Sequence, residues 1–232
     1  MLAQRLTVAF DAVDPAGLAR FWAGLLDREV LAQPAGVLLP GSATQLALRF
    51  VPGTARRASA QPNRMHLHLT STSLDDQQRR VQQARDAGAH HLDVGQRPEE
   101  GHVVLADPEG NEFCVIEPGN RFLAGCGLLG ELACTGTRAV GRFWQDALGW
   151  PLVWDQDGET AIQSTRGGTK VAWDGQRAGG DQRQRLEVSA AAGDPQAEAE
   201  RLVSLGAQRW PDGGLTDPDG NLFHLITARR PV

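Results

Sequence analysis

The pattern of apolar and polar positions predicts strands and helices in a repeating order. In Met65–Ser71 (MHLHLTS) the two kinds of residue alternate, which is typical of a strand with one buried face. In Leu18–Leu26 the leucines and aromatic residues recur at helical spacing, directly after the helix-starting pair Asp14-Pro15. Turn-forming segments separate further short apolar runs. The chain therefore alternates single helices with groups of strands.

Two motifs occur twice, in the same order. The turn sequence DPEGN at Asp107–Asn111 returns as DPDGN at Asp217–Asn221. Upstream, the Phe-Trp helix at Leu18–Val30 returns at Ala139–Val153. Two features that recur together indicate a tandem duplication, with the join in the glycine-rich segment Glu117–Gly127. We therefore predict two domains, over residues 1–120 and 125–232, each containing two β-α-β-β-β modules.

The repeated motifs have a structural interpretation. Asp-Pro-x-Gly suits a tight turn, because Asp bonds back to the backbone, Pro fixes φ and Gly tolerates positive φ. We expect DPEGN and DPDGN to hold the last strands in register and to take no part in chemistry. The Phe-Trp pairs are predicted to pack a helix on a sheet.

Composition narrows the class of protein. The chain has 232 residues, 41% hydrophobic and 22% charged, with a net charge of −5 and no basic run. These values favour a globular protein and argue against nucleic acid or a membrane surface as partner. Cys114, Cys126 and Cys134 have no metal-finger spacing, which suggests a reduced setting. We find no signal peptide or membrane span and expect a cytoplasmic protein.

The motifs FDAVDPAGLARFWAGLLD and VLADPEGNEFCVIEP, in this order, resemble those of the glyoxalase / bleomycin-resistance / extradiol-dioxygenase superfamily, the vicinal oxygen chelate proteins. Both halves carry the likeness, so it covers nearly the whole chain. It implies an α+β fold of four β-α-β-β-β modules, two per domain, which form two open cupped mixed sheets with the helices outside. It also implies a small-molecule pocket and, in many members, a divalent metal.

The resemblance also implies positions for metal ligands. In the first half they fall on Thr7, His66 and Cys114, of which only His66 is a usual ligand of the family. In the second half they fall on the residues of the first, fifth and eighth strands, namely Leu129, Arg185 and His224. The usual ligand set is therefore incomplete in both halves.

Strand alternation indicates which side chains share the polar face. We predict that the pocket contains Thr7, Asp11, His66, His68, Thr70, Glu112 and Cys114. A non-standard metal site of His66, His68 and Cys114 has suitable chemistry for zinc, iron, nickel or manganese, and a site without metal is the alternative. Glu112 or His68 would move a proton.

In the second half, Glu131, Glu187 and His224 are predicted to share the concave face. They would bind a metal or act as an acid–base group. Alternatively, Arg185 pairs with Glu187 as a structural ion pair, which is the interpretation we favour.

Three functions fit these features. The first is a metal-dependent lyase, isomerase or dioxygenase. The second is a metal-free small-molecule binding or drug-sequestering protein of the bleomycin-resistance type, and the third a regulatory module. The expected partner is a small molecule, and the expected assembly is a monomer with paired domains or a homodimer.

Overall fold

A computed structural model describes residues 6–53, 63–97, 99–176, 182–190, 194–211 and 213–226. Each half of the chain contributes two helices and two groups of strands to these described residues. The elements of the first half are β1 (Leu6–Ala12), α1 (Pro15–Leu26), β2 (Leu31–Gln33), β3 (Gly36–Leu39), β4 (Ala47–Pro52), β5 (Met65–Leu69), α2 (Leu74–Asp86), β6 (His90–His91), β7 (Val103–Ala106) and β8 (Glu112–Val115).

The second half repeats this order. Its elements are β9 (Leu129–Cys134), α3 (Arg138–Leu148), β10 (Leu152–Gln156), β11 (Glu159–Gln163), β12 (Lys170–Trp173), β13 (Gln184–Ser189), α4 (Pro195–Ser204), β14 (Gln208–Arg209), β15 (Leu215–Thr216) and β16 (Leu222–Ile226). Within the described ranges, no helix is long and apolar enough to cross a membrane.

The strands form two mixed sheets of eight strands, which confirms the predicted α+β class. The first sheet has the order β14-β15-β16-β13-β1-β4-β3-β2, and the second has the order β10-β11-β12-β9-β5-β8-β7-β6. β1 pairs antiparallel with β13, and β5 pairs antiparallel with β9. Each sheet therefore takes one module from each half of the chain, so both concave faces are shared between the halves.

Alternation along the central strands separates a core face from a polar face. Val8, Phe10, Leu67 and Phe113 belong to one continuous core that also contains the buried faces of the helices. The helices therefore lie on the face opposite the polar side chains. Burial of these apolar side chains on both sheets supplies the main driving force for the fold.

The two repeated motifs contact each other, which the sequence did not reveal. In the first half the indole Nε1 of Trp22 in α1 donates to Asp107 Oδ2 at 3.1 Å. In the second half Trp144 Nε1 in α3 donates to Asp217 Oδ2 at 3.4 Å. Trp22 is fully buried, so its N–H needs a partner. Each Trp–Asp bond joins a module of one sheet to a module of the other.

The repeated turns have the predicted hairpin role. In the first turn the Gly110 amide donates to the Asp107 carbonyl, and φ of Gly110 is +82°. The turn connects β7 to β8, and its counterpart connects β15 to β16. Three short strands, β2, β6 and β14, were not predicted, because runs of two or three residues carry little periodicity. His90 and His91, which follow α2 in the chain, are exposed in β6.

Candidate metal centre

Four polar side chains form a row across the polar face of the second sheet. Cys114 in β8 lies opposite His68 in β5, and His68 lies opposite Glu131 in β9. Glu131 in turn pairs with Lys170 in β12. His66 lies on the same face as His68, with 4.7 Å between the two ring centroids. The row therefore combines side chains from both halves of the chain.

His66, His68 and Cys114 have the geometry of a metal-ligand cluster. One donor atom of each lies within 4.8 Å of the others, and in the described residues these three form the group that could hold an ion. Two imidazole nitrogens and a sulfur are a donor set that zinc accepts. The residues present thus fit a divalent transition metal.

Glu131 fixes the orientation of His68. A Glu131 carboxylate oxygen lies 2.7 Å from His68 Nδ1, and the His68 side chain is 17% exposed. Because Nδ1 faces this carboxylate, Nε2 is the ring nitrogen left for another partner. A carboxylate on the outer nitrogen is the usual second contact of a metal-binding histidine.

The two histidines differ in their preferred protonation. Burial, followed by repulsion from His68 and His102, lowers the pKa of His66 to about 3. Burial alone would also lower the pKa of His68, but hydrogen bonds to Cys114 and Glu131 raise it to about 10. His66 is accordingly a neutral imidazole at pH 7, the form in which histidine binds metals, whereas His68 carries a proton that a bound metal ion would displace.

Residues 117–128, which we call the strap, pack against Cys114 at one side of this site. Leu123 and Cys126 of the strap pack with Cys114 and Ile116 in a separate apolar cluster. Lys170 donates to the Phe122 carbonyl and lies over the Phe122 ring, with its Nζ 4.1 Å from the centroid. The sequence identified this segment as a join between domains and gave no sign that it packs on Cys114.

Other contacts hold the strap in place. Thr70 Oγ1 donates to the Gly127 carbonyl at 2.8 Å. Gln45 Nε2 donates to the Cys126 carbonyl at 2.8 Å, and Gln45 Oε1 accepts from the Leu129 amide at 3.0 Å. Thr70, predicted to face the pocket, therefore anchors the strap.

Glu112, predicted as a proton carrier, lies at the start of β8. One of its carboxylate oxygens accepts from the Asn63 backbone amide at 3.2 Å, and the residue is 9% exposed. It lies outside the group of His66, His68 and Cys114 in the described residues. Its place two residues before Cys114 puts it on the same face of the strand.

The remaining predicted pocket residues lie on the first sheet. Thr7 in β1 pairs with Glu187 in β13, and Glu187 pairs with His224 in β16. The trio of Glu131, Glu187 and His224 was a wrong grouping, because Glu131 belongs to the second sheet. The same pairing separates Thr7 from His66 and Cys114, so the three positions implied for the first half do not form one site.

The ion pairs of the first sheet also differ from expectation. Arg185 bonds Asp11 at 2.6 Å, not Glu187. Glu187 is fully buried and bonds Arg49 at 2.5 Å. Arg185 and Glu187 are adjacent positions of one face of β13, but each reaches across to a different strand. Arg49 was missed, although alternation in ALRFVP places it on the polar face.

Lys170 was the second residue that we missed. It is the only lysine in the chain, which was the available signal. The role of the side chain depends on the strap and could not be read from the residue itself.

Two cavities within the described residues lie apart from the donor cluster. A cavity of about 440 Å³ lies beside the start of α1 and the DPEGN turn, lined by Asp14, Arg20, Phe21 and Pro108 among others. A second, of about 390 Å³, lies beside the start of α4. Neither is lined by the histidines or Cys114, so the donor cluster and the cavities are separate features.

Comparisons with known proteins agree with this architecture. A family model described as "Glyoxalase-like domain" matches residues 7–116 and, a second time, residues 131–226. Among solved structures, glyoxalase I from Zea mays matches with a TM-score of 0.64 at 13% identity, over 97% of this chain and 92% of that chain. A putative dioxygenase from Bacillus subtilis subsp. subtilis str. 168 matches with a TM-score of 0.59 at 13% identity, over 95% and 84%.

At such low identity the structural likeness shows the fold alone. No curated protein sequence matches the chain. The family model, in contrast, covers most of the sequence in two copies, in the order of the two observed halves. The chain therefore belongs to the glyoxalase-like domain family, as a tandem member of the vicinal oxygen chelate superfamily.

Proposed function

We propose that this protein is a metal-dependent lyase or isomerase of the glyoxalase type that acts on a small molecule, with its centre on the second sheet. The observation that carries the proposal is the cluster of His66, His68 and Cys114, whose donor atoms lie within 4.8 Å of one another. The Glu131 carboxylate on His68 Nδ1 supports it, because this contact orients a ligand histidine.

The donor atoms of the cluster indicate which metal it would bind and which reaction it would support. Imidazole and thiolate suit zinc, whereas manganese prefers oxygen donors, and the non-haem iron dioxygenases use two histidines and a carboxylate. Zinc and a non-oxidative reaction are therefore favoured. A bound zinc ion would act as a Lewis acid toward a carbonyl or enediolate oxygen of the ligand.

The chain's own groups would assist in definite ways. Glu131 would hold the His68 ring, and the apolar side chains of the strap would exclude water from the centre. Glu112 is the carboxylate that we assign to proton transfer, on the basis of its position on the same face of β8. Lys170, held near Phe122, would place a positive charge at the edge of the site.

Metal-free binding of a small molecule is the alternative. Two observations favour it: His68 already bonds Glu131 at 2.7 Å, and the strap packs on Cys114. Such a site is satisfied without an ion, and its cover would open for an organic ligand.

Metal content separates the two functions. We would measure it by mass spectrometry after equilibration with zinc, iron, nickel or manganese and removal of excess ion. We expect about one equivalent of zinc in the wild type, loss of that zinc in His66→Ala, and no loss in His91→Ala, which changes an exposed histidine. Absence of bound metal in the wild type, or equal metal in His66→Ala, would refute the metal-dependent function and leave metal-free binding.

A further inference from the structure

Two arginines flank a small buried residue in the middle of the first sheet. Ala9 in β1 pairs with Arg185 in β13 on one side and with Arg49 in β4 on the other. Ala9 is fully buried. Since neighbouring strands lie about 4.8 Å apart, the two arginine backbones are about 10 Å apart across the alanine. The short side chain of Ala9 thus leaves a gap on the sheet surface between two long cationic side chains.

The hydrogen-bond donors of these arginines exceed their acceptors. Arg49 bonds Glu187 and Arg185 bonds Asp11, each through one terminal nitrogen. In the described part of the chain, the Nε atoms of both arginines are buried without a partner, as is one carboxylate oxygen of Glu187. A guanidinium group carries five N–H donors. The pair therefore retains capacity for further acceptor oxygens.

The two acidic partners are held differently. Glu187 is fully buried and holds Arg49 in the sheet. In the other pair, the Asp11 side chain is 36% exposed and the Arg185 side chain is 14% exposed. Asp11 is consequently the member of the cluster that an anion from solution can replace. His224 lies beyond Glu187 in the same row and offers a neutral hydrogen-bonding group at the edge.

We propose that the first sheet binds a small oxyanion, a carboxylate or a phosphate, between Arg49 and Arg185. The planar guanidinium fork matches either anion, often through two parallel hydrogen bonds. The anion's oxygens would take the place of the Asp11 carboxylate on Arg185 and engage the free donors of Arg49. This site is independent of the proposed metal centre, which lies on the other sheet. The protein would therefore have two binding sites of different chemistry.

Calorimetric titration tests the proposal. Inorganic phosphate, acetate and oxalate would each be titrated into the full chain at constant ionic strength, with chloride as the reference anion. We expect saturable binding of at least one of the three, and the comparison shows whether phosphate or carboxylate is preferred. Arg185→Gln should weaken binding at least tenfold, since it removes a charged donor group.

Asp11→Asn provides a test of opposite sign. It frees Arg185 from its competing carboxylate, so it should tighten anion binding several-fold while the fold is kept. Arg166→Gln, at an exposed position in the turn between β11 and β12, is the matched control and should bind like the wild type. A purely structural ion pair predicts that Arg185→Gln and Asp11→Asn both lower Tm and that neither changes anion binding. That result, or the lack of saturable binding in both the wild type and Asp11→Asn, would overturn the proposal.

Discussion

At the scale of single residues, the sequence predicted the sheet face of a side chain better than its hydrogen-bond partner. Alternation placed His66, His68 and Cys114 on one face, and the structure brings them together. It did not predict that His68 bonds Glu131, because that contact depends on which strands pair between the halves. Arg185 shows the same limit of local reasoning, since its partner Asp11 lies 174 residues away in the chain.

The buried aspartate of the repeated turn gives a residue-scale prediction. Four donor groups reach the Asp107 carboxyl, from Trp22, from the Glu109 amide and from the amide and side chain of Asn111. Burial nevertheless raises the pKa of Asp107 to about 6. The folded state therefore binds this proton more tightly than the unfolded state does. The resulting stabilisation of the fold is fully present below about pH 4 and is lost as the pH rises through 6.

Asp107→Asn carries a neutral amide in place of the neutral acid, so its stability should not fall with pH for this reason. We expect the free energy of unfolding of the wild type, minus that of Asp107→Asn, to fall by about 1–3 kcal/mol between pH 4 and pH 7 in urea titrations. Asp217→Asn should show the same sign, because burial also raises the pKa of Asp217. A difference that stays constant or grows with pH would mean that the donors outweigh burial.

At the scale of elements, strong periodicity was sufficient for the helices and the central strands. The short strands β2, β6 and β14 have too few residues to show a period, and the sequence did not predict them. The packing of the strap was not predicted for a different reason. Its glycines and proline indicated a loop, which it is, but the packing of Leu123 and Cys126 on Cys114 is a tertiary contact without a local signal.

The strap contacts predict how accessible Cys114 is. Phe122→Ala removes the ring that lies beneath Lys170 and packs against Trp154, so it should loosen the cover. We expect the rate of alkylation at Cys114, followed peptide by peptide in mass spectrometry, to rise several-fold. Cys134 should not change, because it is buried outside the strap cluster and burial raises the pKa of its thiol.

The matched control for this variant is Trp210→Ala, which removes an aromatic ring that is already 48% exposed. It should leave the alkylation rate of Cys114 at the wild-type value. If Phe122→Ala also left the rate unchanged, the strap would not control access to the thiol.

At the scale of the whole molecule, the duplication explains the architecture. Within a half, α1 contacts α2 and Trp22 bonds Asp107, so its two modules join core to core. Between halves, the sheets join edge to edge, through β1 with β13 and β5 with β9. The sequence predicted the four modules, but not which edges meet, because pairing of whole modules is decided by long-range packing.

This arrangement predicts the behaviour of an isolated half. A fragment of residues 1–120 would leave the β1 and β5 edges unpaired, and such edges pair with other chains. We expect it to form dimers or larger species in size-exclusion chromatography with light scattering. Addition of residues 125–232 should convert it to a one-to-one complex. A fragment that remains a folded monomer would contradict the edge-to-edge arrangement.

The central claim is that His66, His68 and Cys114 hold one metal ion, and cobalt spectroscopy tests it most directly. Cobalt(II) substitutes for zinc, and a thiolate ligand gives charge-transfer absorption in the near ultraviolet. We predict this band at one equivalent of cobalt in the wild type and its loss in Cys114→Ser. Glu131→Gln should keep the band but weaken cobalt affinity by about 10–100-fold, as expected for a residue that orients a ligand. A wild-type spectrum without the thiolate band, or a band that persists in Cys114→Ser, would contradict the claim.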